Sequence, residues 1–416
     1  MNILYIDHYA GSPEMGMEFR PYYLAREWQK RNHKVRIVGG DFSHLRAKQP
    51  SVQLDFQKEM IDGIEYQWIK TGQYSGNGIK RAISMLRFTG KMWLNAKKIV
   101  REFQPDVVIT SSTYPMDSFA GYRIAKKAKA KYIHETHDLW PLTLTEIGGM
   151  SEKHPFVILM AIAERYAYSK SGQVVSLFSH AAEHMLSHGM QNIDKFTVIP
   201  NGVAEADWQQ QQPIPEKHAK LFEKLHSENK FIVCYTGGHA LSNKLDLLLD
   251  VAENMQDENI AFVLVGKGVE KEHLENRVRE EDLRNVYLLP PVTKTQVPGI
   301  LGQADVLYIG AAASPLYRFG VSLNKVYDYM MAAKPILYGV QAPNNFIKDA
   351  KCGITFNAEV PQDLIESIRT IESLTEEQRM EMGKRGQEYV LQHFEYGALA
   401  DNFCGVMDRC PRVGEK

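Results

Sequence analysis

The sequence predicts an α/β protein of two doubly wound, Rossmann-like domains, on the strength of three observations. Apolar segments of strand length alternate with amphipathic segments of helix length, and this alternation occurs twice along the chain. A polar stretch rich in Gln and Pro, residues 201–218, separates the two series and reads as the linker. The halves also differ in charge: residues 1–200 carry 26 Lys and Arg against 19 Asp and Glu, and the remainder carry 23 against 31. We therefore expect one of the two domains to face an anionic partner.

The composition excludes several classes of protein. A chain of 416 residues with 44% hydrophobic and 24% charged residues is typical of a globular protein with two or three cores. It contains no apolar run of membrane-spanning length. Its four cysteines are too scattered for a disulfide framework or a zinc site. The opening MNILYID reads as a first strand rather than a signal peptide, so we expect a cytoplasmic protein.

In the first series, each predicted strand runs into a loop and then, in most cases, a helix. The predicted elements are the strand NILYID, the helix PYYLAREWQKRNH, the strands KVRIVGG and QPDVVITSS, the helix DSFAGYRIAKKAKA, the strand KYIHET, the helix HPFVILMAIAERYAYS, and the strands GQVVSLF and KFTVIP.

The second series repeats the pattern and ends in a helical segment. It comprises the strand FIVCYTGG, the helix LDLLLDVAENM, the strand IAFVLVGKG, a charged helix, the strands NVYLLPPV and ADVLYIG, a helix from Ser322 to Lys334, the strand PILYG, and the helical RMEMGKRGQEYVLQHFEYGALADNF. We predict a first domain at residues 1–200, a second at 201–385, and a closing helix at 386–416 that packs back on the first. Ligands of such sheets bind beyond the carboxyl ends of the strands, so the cleft between the domains is the expected site.

The helix at 322–334 carries an unusual set of polar residues in its first two turns. Ser322 is a favoured N-cap, and the apolar residues after it follow the spacing of a packed helix face. Asn324, Lys325 and Asp328 fall off that face. A lysine and an aspartate beside the positive end of a helix are hard to explain as scaffold, which makes this helix a candidate ligand site.

Two glycine-containing loops follow strands of the second series. YTGGHALSNK (235–244) contains Gly237, Gly238 and Lys244, and LVGKGVE (264–270) contains Gly266 and Gly268. Such loops allow backbone N–H groups to approach a phosphate. Neither matches a dinucleotide fingerprint or a P-loop. Each could equally be an ordinary tight turn.

A polar segment, HETHDLWP (134–141), follows the strand KYI. The spacing of its histidines does not match the HExxH zinc motif, so we reject zinc. His137 could be a site histidine steered by the neighbouring Asp138, or both residues could be structural. The chain has no Asp-x-Asp triplet, which argues against a metal held by carboxylates that carries a nucleoside diphosphate.

Residues 79–101 contain no acidic residue but many basic ones, among them Lys80, Arg81, Arg87 and Lys91. Two apolar stripes run through this segment about 100° apart, so that one can face the core. The other suits an anionic membrane surface, or both stripes pack inside and the charges are merely solvated. We expect no nucleic-acid partner, since no RNA-recognition motif is present. The first stripe is Met85, Phe88, Met92 and Ile99, and the second is Ile83, Leu86, Trp93 and Val100.

The order of these segments over nearly the whole chain resembles the retaining nucleotide-sugar glycosyltransferases of family 4, which have the GT-B fold. The resemblance is nearest to the bacterial branch that builds O-antigen, capsule and colanic-acid-type polysaccharides. It rests on HYAGSPEMGMEF, HDLWP, VIPNGV, YTGG with its following lysine, FVLVGKG, NVYLLPPV, ADVLYI, the helix at 322–334 and MGKRGQEYVLQHF.

The resemblance implies a role for each matching residue. His137 would lie beside the donor sugar, and Lys244 and Lys325 would hold the diphosphate, with Asn324 beside them. Asp328 would accept hydrogen bonds from the ribose. The glycines Gly11 and Gly16 would approach donor and acceptor, Gly237 and Gly238 would form the turn beside the diphosphate, and Gly266, Gly268, Pro291 and Val292 would form the wall around the base.

The sequence departs from the family pattern at two positions. Where the first of two family glutamates is usual, this chain has Gly320, and the usual phosphate-binding arginine near YTGG has no counterpart apart from the nearby His239. The resemblance implies a metal-independent hexosyltransferase without a cofactor, with a UDP-linked N-acetylhexosamine or 6-deoxy sugar as donor. The acceptor would be a polyprenyl-diphosphate-linked saccharide at the inner face of the cytoplasmic membrane. Two alternatives stay open: a non-hydrolysing sugar-nucleotide epimerase, and an inactive GT-B scaffold that binds a partner.

Overall fold

The computed structural model describes residues 1–76 and 78–415, and the chain divides into two compact units. The first unit comprises residues 1–200, 318–321 and 396–416, and the second comprises 201–317 and 322–395. Each unit contains one twisted, mostly parallel sheet with helices packed on it. The prediction of two Rossmann-like α/β domains is therefore confirmed, while the predicted cleft between them stays a prediction.

Both sheets are built from short strands. They are β1 (Asn2–Ile6), β2 (Lys34–Gly40), β3 (Gln57–Ile61), β4 (Ile64–Ile69), β5 (Val107–Thr110), β6 (Lys131–Thr136), β7 (Gln173–Ser176), β8 (Phe196–Val198), β9 (Phe231–Gly238), β10 (Ile260–Lys267), β11 (Val286–Leu289), β12 (Val306–Gly310), β13 (Ile336–Gly339) and β14 (Gly353–Thr355).

The helices mostly connect these strands. They are α1 (Arg20–Lys30), α2 (Ile79–Leu94), α3 (Ala96–Phe103), α4 (Asp117–Ala128), α5 (Pro155–Lys170), α6 (Ala182–Ser187), α7 (Glu205–Trp208), α8 (Glu216–Ser227), α9 (Leu245–Asn254), α10 (Lys271–Glu280), α11 (Val297–Gly302), α12 (Asn324–Met331), α13 (Phe346–Ala350), α14 (Pro361–Glu372), α15 (Glu376–Phe394) and α16 (Tyr396–Arg409).

The first sheet has the order β3-β4-β2-β1-β5-β6-β7-β8 and is parallel except for the β3–β4 hairpin. Ile3 of β1 pairs with Val35 on one side and Val107 on the other. The strand order reverses between β1 and β5, and ligands of such sheets bind beyond a reversal of this kind. The loops after β1, β5 and β6 therefore lie where a ligand of the first sheet is expected.

The second sheet has the order β11-β10-β9-β12-β13-β14 and is parallel throughout. Its core consists of buried side chains from these strands and from α9 and α14, with Leu248, Phe262 and Ile368 fully buried. Here the order reverses between β9 and β12, so the loop after β9 and the segment that leads from β12 to α12 meet at the corresponding edge.

Several predicted elements need correction. The helix predicted from Ser322 begins at Asn324, because Ser322 Oγ instead accepts a hydrogen bond from the Asn201 amide at 2.8 Å. The linker contains the short helix α7 and the start of α8. The closing helix is two helices, because Glu395 is extended (ψ 136°) and ends α15. Of these two, α15 belongs to the second unit and α16 to the first.

The basic segment 79–101 also forms two helices, α2 and α3, which meet at Asn95. The first predicted stripe is buried, as Phe88 and Met92 illustrate. Ile83, Leu86 and Trp93 of the second stripe are exposed, so the alternative in which both stripes pack inside is wrong for them. Among residues 1–76 and 78–415, every helix falls short of the length and apolar character needed to cross a bilayer.

Candidate active site

His137 lies directly after β6, at the carboxyl edge of the first sheet, and a buried carboxylate fixes its ring. Its Nε2 is 3.0 Å from Glu135 Oε2 and 2.9 Å from Ser111 Oγ. Burial lowers the pKa of His137, but the hydrogen bond from Nε2 to Glu135 and the charge of that carboxylate outweigh it, so the pKa is raised. A proton on Nε2 is therefore favoured, and the imidazole is held in one orientation.

Glu135 in turn belongs to a fully buried charge network. Arg20 Nη2 donates to Glu135 Oε1 at 2.7 Å, and both side chains are almost completely inaccessible to water. Arg20 also donates to the carbonyls of Ile199 and Pro200, at 2.8 and 2.5 Å. Burial raises the pKa of Glu135, but the charge of Arg20 and the His137 hydrogen bond reverse the effect and leave it well below its usual range. The two charges compensate each other inside the protein.

Of the two alternatives for Asp138, the one in which it steers His137 is wrong. Asp138 accepts hydrogen bonds from Trp140 Nε1 at 2.9 Å and Thr143 Oγ1 at 2.5 Å. Alternate residues of a strand point to the same side, so the carboxylate two positions before His137 reaches its ring, whereas that of the next residue points elsewhere.

Two further carboxyl groups lie at this edge, Asp7 after β1 and Asp117 at the start of α4. Both are buried, and burial raises the pKa of each to about 7, while His137 acts in the opposite direction on both. Asp7 accepts from the Tyr9 amide at 2.9 Å, and Asp117 from the Ser112 amide at 3.0 Å. Asp7, Asp117 and the His137–Glu135 pair thus lie together near the reversal of strand order in the first sheet.

Gly11 and Gly16 lie in the loop between β1 and α1, but their amides are used within that loop. Gly11 donates to the Glu18 carbonyl at 3.1 Å, and Gly16 to the Ser12 carbonyl at 3.1 Å. A Cβ on Gly11 would lie only 1.6 Å from the Met17 carbonyl oxygen. In this conformation Gly11 is required by the close approach of backbone, and contact of either glycine with a donor stays a prediction.

In the second unit, Lys325 of α12 lies against the loop after β9. Its Nζ is 2.5 Å from Asn243 Oδ1 and 3.1 Å from the Tyr235 hydroxyl, and it lies 4.6 Å from the centre of the Tyr235 ring. We call these three residues the lysine pocket. Tyr235 Oη and Asn243 Nδ2 both donate to the Gly238 carbonyl, at 2.7 and 2.9 Å, which fixes the loop around the ammonium.

The contacts of Lys325 are neutral oxygens and an aromatic face. Within the described residues, no carboxylate lies within salt-bridge distance of its ammonium. Burial lowers the pKa of Lys325 to about 7, since water is withdrawn and no anion replaces it. A lysine in such surroundings is prepared to receive an anion.

Lys244 precedes α9, as predicted, but its ammonium does not join the lysine pocket. It pairs with Glu359 Oε2 at 2.8 Å, and the two side chains are 27% and 52% exposed. A pair this exposed contributes about 0–1 kcal/mol, so an anionic ligand could displace the carboxylate at little cost. In this conformation, Lys325 rather than Lys244 is the cation of the pocket.

Asp328, one turn after Lys325, forms an ion pair that the sequence analysis missed. Its Oδ2 lies 2.5 Å from Lys294 Nζ. Lys294 follows Pro291 and Val292 in the loop after β11, and Pro291 is exposed. Lys294 thus connects Asp328, the residue predicted to bind the ribose, to the loop that contains Pro291 and Val292, the residues predicted to bind the base. Asn324, also predicted here, is the exposed first residue of α12.

Two glycines of the phosphate-loop candidates, Gly266 and Gly268, are required by close approach of the backbone. Gly237, with φ of 149°, and Gly238 end β9, beside the loop after β10. A Cβ on Gly266 would lie 1.9 Å from the Gly237 carbonyl oxygen, and one on Gly268 would lie 2.0 Å from that of His239. The backbones at the ends of β9 and β10 and directly after them therefore approach each other closely, which no larger residue at 266 or 268 would allow.

His239 does not replace the missing arginine. It is fully buried, and neither ring nitrogen has a hydrogen-bond partner within the described part of the chain. Burial, with a smaller contribution from Lys271, lowers the pKa of His239 to about 4, so the ring is neutral near pH 7. A neutral, enclosed imidazole supplies no charge to a phosphate.

Sequence reasoning missed Arg20, Glu135, Asp7, Asp117 and Lys294. A usable signal existed for two of them. Glu135 is a charged residue inside a buried strand, and Asp7 directly follows four buried residues of β1. A charged residue in such a position requires a partner, and that partner is often part of a site.

Two protein-family models match the chain, and the boundary between them falls in the linker region 201–218. Residues 15–206 match the family model Glycosyltransferase Family 4, and residues 216–389 match the model Glycosyl transferases group 1. Over 78 residues, the chain is 30% identical to an Escherichia coli K12 protein that carries the provisional name colanic acid biosynthesis glycosyl transferase WcaI. This match spans 19% of each chain.

Solved structures resemble the whole chain. Sucrose-phosphate synthase from Thermosynechococcus elongatus superposes with a TM-score of 0.74 at 15% identity, covering 98% of this chain and 99% of that one. The Anabaena protein HepE in complex with UDP and glucose gives 0.66 at 14% identity, covering 98% and 99%. WaaG, a glycosyltransferase involved in lipopolysaccharide biosynthesis, gives 0.64 at 14% identity, covering 97% and 99%. At these identities the likeness establishes the fold. With the two family models, it identifies the chain as a family 4-like glycosyltransferase of the GT-B type.

Proposed function

We propose that this glycosyltransferase moves a sugar from a UDP-linked donor to a lipid-linked or surface-polysaccharide precursor, with retention of the anomeric configuration. The donor sugar we propose is an N-acetylhexosamine or a 6-deoxy relative. The observation that carries the proposal is Lys325, a buried lysine at the carboxyl edge of the second sheet that has no carboxylate partner among residues 1–76 and 78–415. The solved HepE complex with UDP, and the names of WcaI and WaaG, are consistent with this donor and this class of product.

In this proposal the lysine pocket binds the diphosphate. Lys325 would exchange its contact with Asn243 for a phosphate oxygen, and the amides that begin α12 would add the dipole of the helix. Lys244 would leave Glu359 and contribute a second charge. Negative charge on the leaving diphosphate is the charge that grows in the transition state, so fixed cations there stabilise it without a metal ion or another cofactor.

The nucleoside would bind next to the diphosphate. Asp328 has one oxygen on Lys294 and can offer the other to the ribose hydroxyls. Pro291 and Val292, next to Lys294 in the chain, would contact the base.

The first unit would supply the sugar and acceptor end of the reaction. Glu135 and Ser111 hold His137 Nε2, so the ring can be presented to a sugar hydroxyl in a single orientation. Burial raises the pKa values of Asp7 and Asp117 to about 7, close to physiological pH. Either carboxyl group would therefore be suited to exchange a proton with an acceptor hydroxyl.

A thermal-shift screen against UDP, GDP and dTDP tests the donor, since a ligand that binds the native state raises its melting temperature. We expect a shift with UDP that exceeds those with the other two nucleotides. UDP-sugars that give a shift are then incubated with polyprenyl-diphosphate-linked saccharides, and the anomeric configuration of the product is read by NMR. Absence of any nucleotide shift, or an inverted product, would contradict the proposal, and conversion of a UDP-sugar without acceptor would favour the epimerase alternative.

We also propose that the first unit docks on an anionic membrane surface through α2. Its exposed apolar side chains form one stripe, and lysines and arginines flank that stripe without an acidic residue. Apolar insertion and basic charge together suit a surface rich in anionic lipid, at about 1 kcal/mol per basic residue near it. The stripe consists of Ile79, Ile83, Leu86, Trp93 and Leu94.

Sedimentation with vesicles of phosphatidylglycerol and phosphatidylcholine tests this surface. Wild type should bind at low salt and be released at high salt, whereas Leu86→Ser/Leu94→Ser should bind weakly at both. Ile158→Ser/Ile162→Ser on α5 removes exposed apolar residues elsewhere in the first unit and serves as the control. Binding that does not depend on Leu86 and Leu94, or none at low salt, would refute this docking surface while leaving the sugar transfer untouched.

A further inference from the structure

A cluster of metal-ligating side chains lies between α5 and α6 in the first unit, apart from the residues assigned above. Glu164 projects from α5, His184 from α6, and His188 directly follows α6. One ligand atom from each of the three lies within 4.8 Å of the other two. Glu164 is fully buried, and the histidines are partly buried.

The local sequence explains why these groups converge. His184 and His188 are four residues apart at the end of a helix, the spacing that puts two imidazoles on the same face. Their rings stack with centroids 4.1 Å apart. Gly189 follows with φ of +115°, and a Cβ there would lie 3.0 Å from the Arg165 carbonyl oxygen. The glycine lets the chain turn away directly behind His188 and keeps that residue close to α5.

The ring of His188 is already oriented as a ligand. Its Nδ1 lies 2.8 Å from the His184 carbonyl oxygen and 2.9 Å from Ser187 Oγ. A metal-binding histidine typically donates its other ring N–H to a backbone carbonyl in this way, which leaves Nε2 with a free lone pair.

Glu164 presents an incompletely satisfied carboxylate to the same point. Its Oε1 lies 2.8 Å from His184 Nε2, and its Oε2 is buried and, among residues 1–76 and 78–415, has no hydrogen bond of standard geometry. The Tyr168 phenol lies close enough to interact with this carboxylate. A buried carboxylate oxygen without a partner is costly unless a cation or a donor reaches it.

The shell around the cluster suits a bound ion. The Phe319 ring packs on His184, with centroids 5.3 Å apart, and the Phe319 carbonyl accepts a hydrogen bond from the His180 amide at 2.9 Å. An apolar cover of this kind limits the access of water and strengthens the bond of a cation to its ligands.

We propose that Glu164, His184 and His188 bind a divalent transition-metal cation of the Zn²⁺ class. Two imidazoles and one carboxylate are a ligand set that Zn²⁺ accepts, with a water in the fourth position. The site is independent of the proposed sugar transfer, and the cation takes no part in that reaction. A histidine–carboxylate ion pair alone would account for His184 and Glu164, but it leaves the His188 ring and Glu164 Oε2 without a role.

A second cluster of similar composition provides an internal control. Asp246, Glu270 and His273 also bring ligand atoms within 4.8 Å, but His273 is exposed and Asp246 is paired with Arg277 at 3.0 Å. Arg277 already neutralises that carboxylate, and the open position leaves the ligands hydrated, so we expect this cluster to bind a metal much more weakly.

The test uses the full chain, stripped with EDTA and dialysed, titrated with Zn²⁺ by calorimetry and with Co²⁺ by visible absorption. Wild type should bind one Zn²⁺ tightly and give the absorption of four-coordinate Co²⁺. His188→Ala and His184→Ala should each weaken Zn²⁺ binding by about 100-fold or more, since even loss of an outer-sphere partner costs about 10–100-fold. His273→Ala should bind as wild type does. His188→Gln replaces His188→Ala if the latter has a lowered melting temperature without metal.

Three results would overturn this assignment. They are the absence of a tight Zn²⁺ equivalent in wild type, unchanged binding in both His184→Ala and His188→Ala, and loss of binding in His273→Ala alone. Because metal binding is the readout, these results do not depend on whether the sugar-transfer proposal holds.

Discussion

The two units treat a charge removed from water in opposite ways. In the first, Glu135 is fully buried but meets Arg20, His137, Ser111 and Tyr5, so its charge and its lone pairs are satisfied. In the second, the groups that Lys325 meets in the described part of the chain, Tyr235 and Asn243, are neutral. The first arrangement positions a histidine, and the second leaves a lysine whose charged form an anion would stabilise.

The difference separates structural charges from ligand-binding ones. A compensated buried pair is strongly destabilised when one partner is removed, because the other charge is left alone. A cation without a counter-charge already costs stability in the free protein, so its removal should not destabilise the fold. Variants of the two units should therefore respond in opposite directions.

The largest effect should come from Glu135→Gln. Arg20 would lose its counter-charge, and we expect the free energy of unfolding to fall by about 3–5 kcal/mol in a urea titration. The matched control is Glu146→Gln, which breaks the exposed pair with Arg318 and should cost about 0–1 kcal/mol. Equal losses in the two variants would show that Glu135 is not the compensated charge described here.

Lys325→Met should affect function more than stability. Turnover with saturating donor should fall about 10²–10³-fold, as expected when a group that stabilises the transition-state charge is lost. Without ligand the variant should unfold at the same or a higher urea concentration than wild type. Lys348→Met changes an exposed lysine of the same unit and should leave turnover unaltered.

The pH dependence of stability sharpens the same contrast. The pKa of Lys325 is lowered to about 7 in the folded protein, whereas an unfolded lysine titrates near ~10.4. Between these values the unfolded chain holds the proton and the folded chain does not, so this residue makes wild type more stable as pH rises. Any stability advantage of Lys325→Met, measured by urea titrations from pH 6 to pH 10, should therefore shrink above pH 7. An advantage that grows above pH 7 would refute the assigned shift.

The smallest effect should come from Lys244→Ala. Its pair with Glu359 is half-exposed, so stability should change by less than about 1 kcal/mol, and UDP affinity should weaken by about tenfold or less. Lys267→Ala changes the exposed lysine at the end of the neighbouring strand β10 and is the control for general loss of positive charge. If Lys244→Ala loses as much UDP affinity as Lys325→Met does, the two lysines contribute equally to binding of the diphosphate, and this prediction is wrong.

Much of the fold could be predicted from the sequence because most strands of the two parallel sheets contain runs of apolar residues, buried on both faces, between turn residues. The strands β2, β6 and β9 coincide with the predicted KVRIVGG, KYIHET and FIVCYTGG. The hairpin partner β3 was missed because its residues are largely polar and exposed at the edge of the sheet. The start of α12 was misplaced because Ser322 bonds the distant Asn201, a contact that no local rule anticipates.

The candidate site was predicted less completely, for a related reason. His137, Lys325 and Asp328 occupy strand ends and a helix start, positions that sequence patterns indicate. Their partners come from elsewhere in the chain: Arg20 lies 115 positions before Glu135, and Lys294 lies 34 before Asp328. Contacts between residues so far apart in the chain cannot be inferred from the spacing of residue types in the sequence. Lys244 does not join the lysine pocket, because its ammonium pairs with the nearby carboxylate of Glu359 instead.

The most direct test of the central claim is proton uptake when UDP binds. Titration of UDP into the protein at pH 8, in two buffers of different ionisation enthalpy, measures the number of protons exchanged. At this pH Lys325 is mostly neutral in the free protein, and UDP is fully ionised because phosphate groups titrate near ~6. We predict that wild type takes up a substantial fraction of one proton and that Lys325→Met takes up none. Equal heats in the two buffers for wild type, or the same uptake in Lys325→Met, would contradict the claim that Lys325 is the cation awaiting the diphosphate.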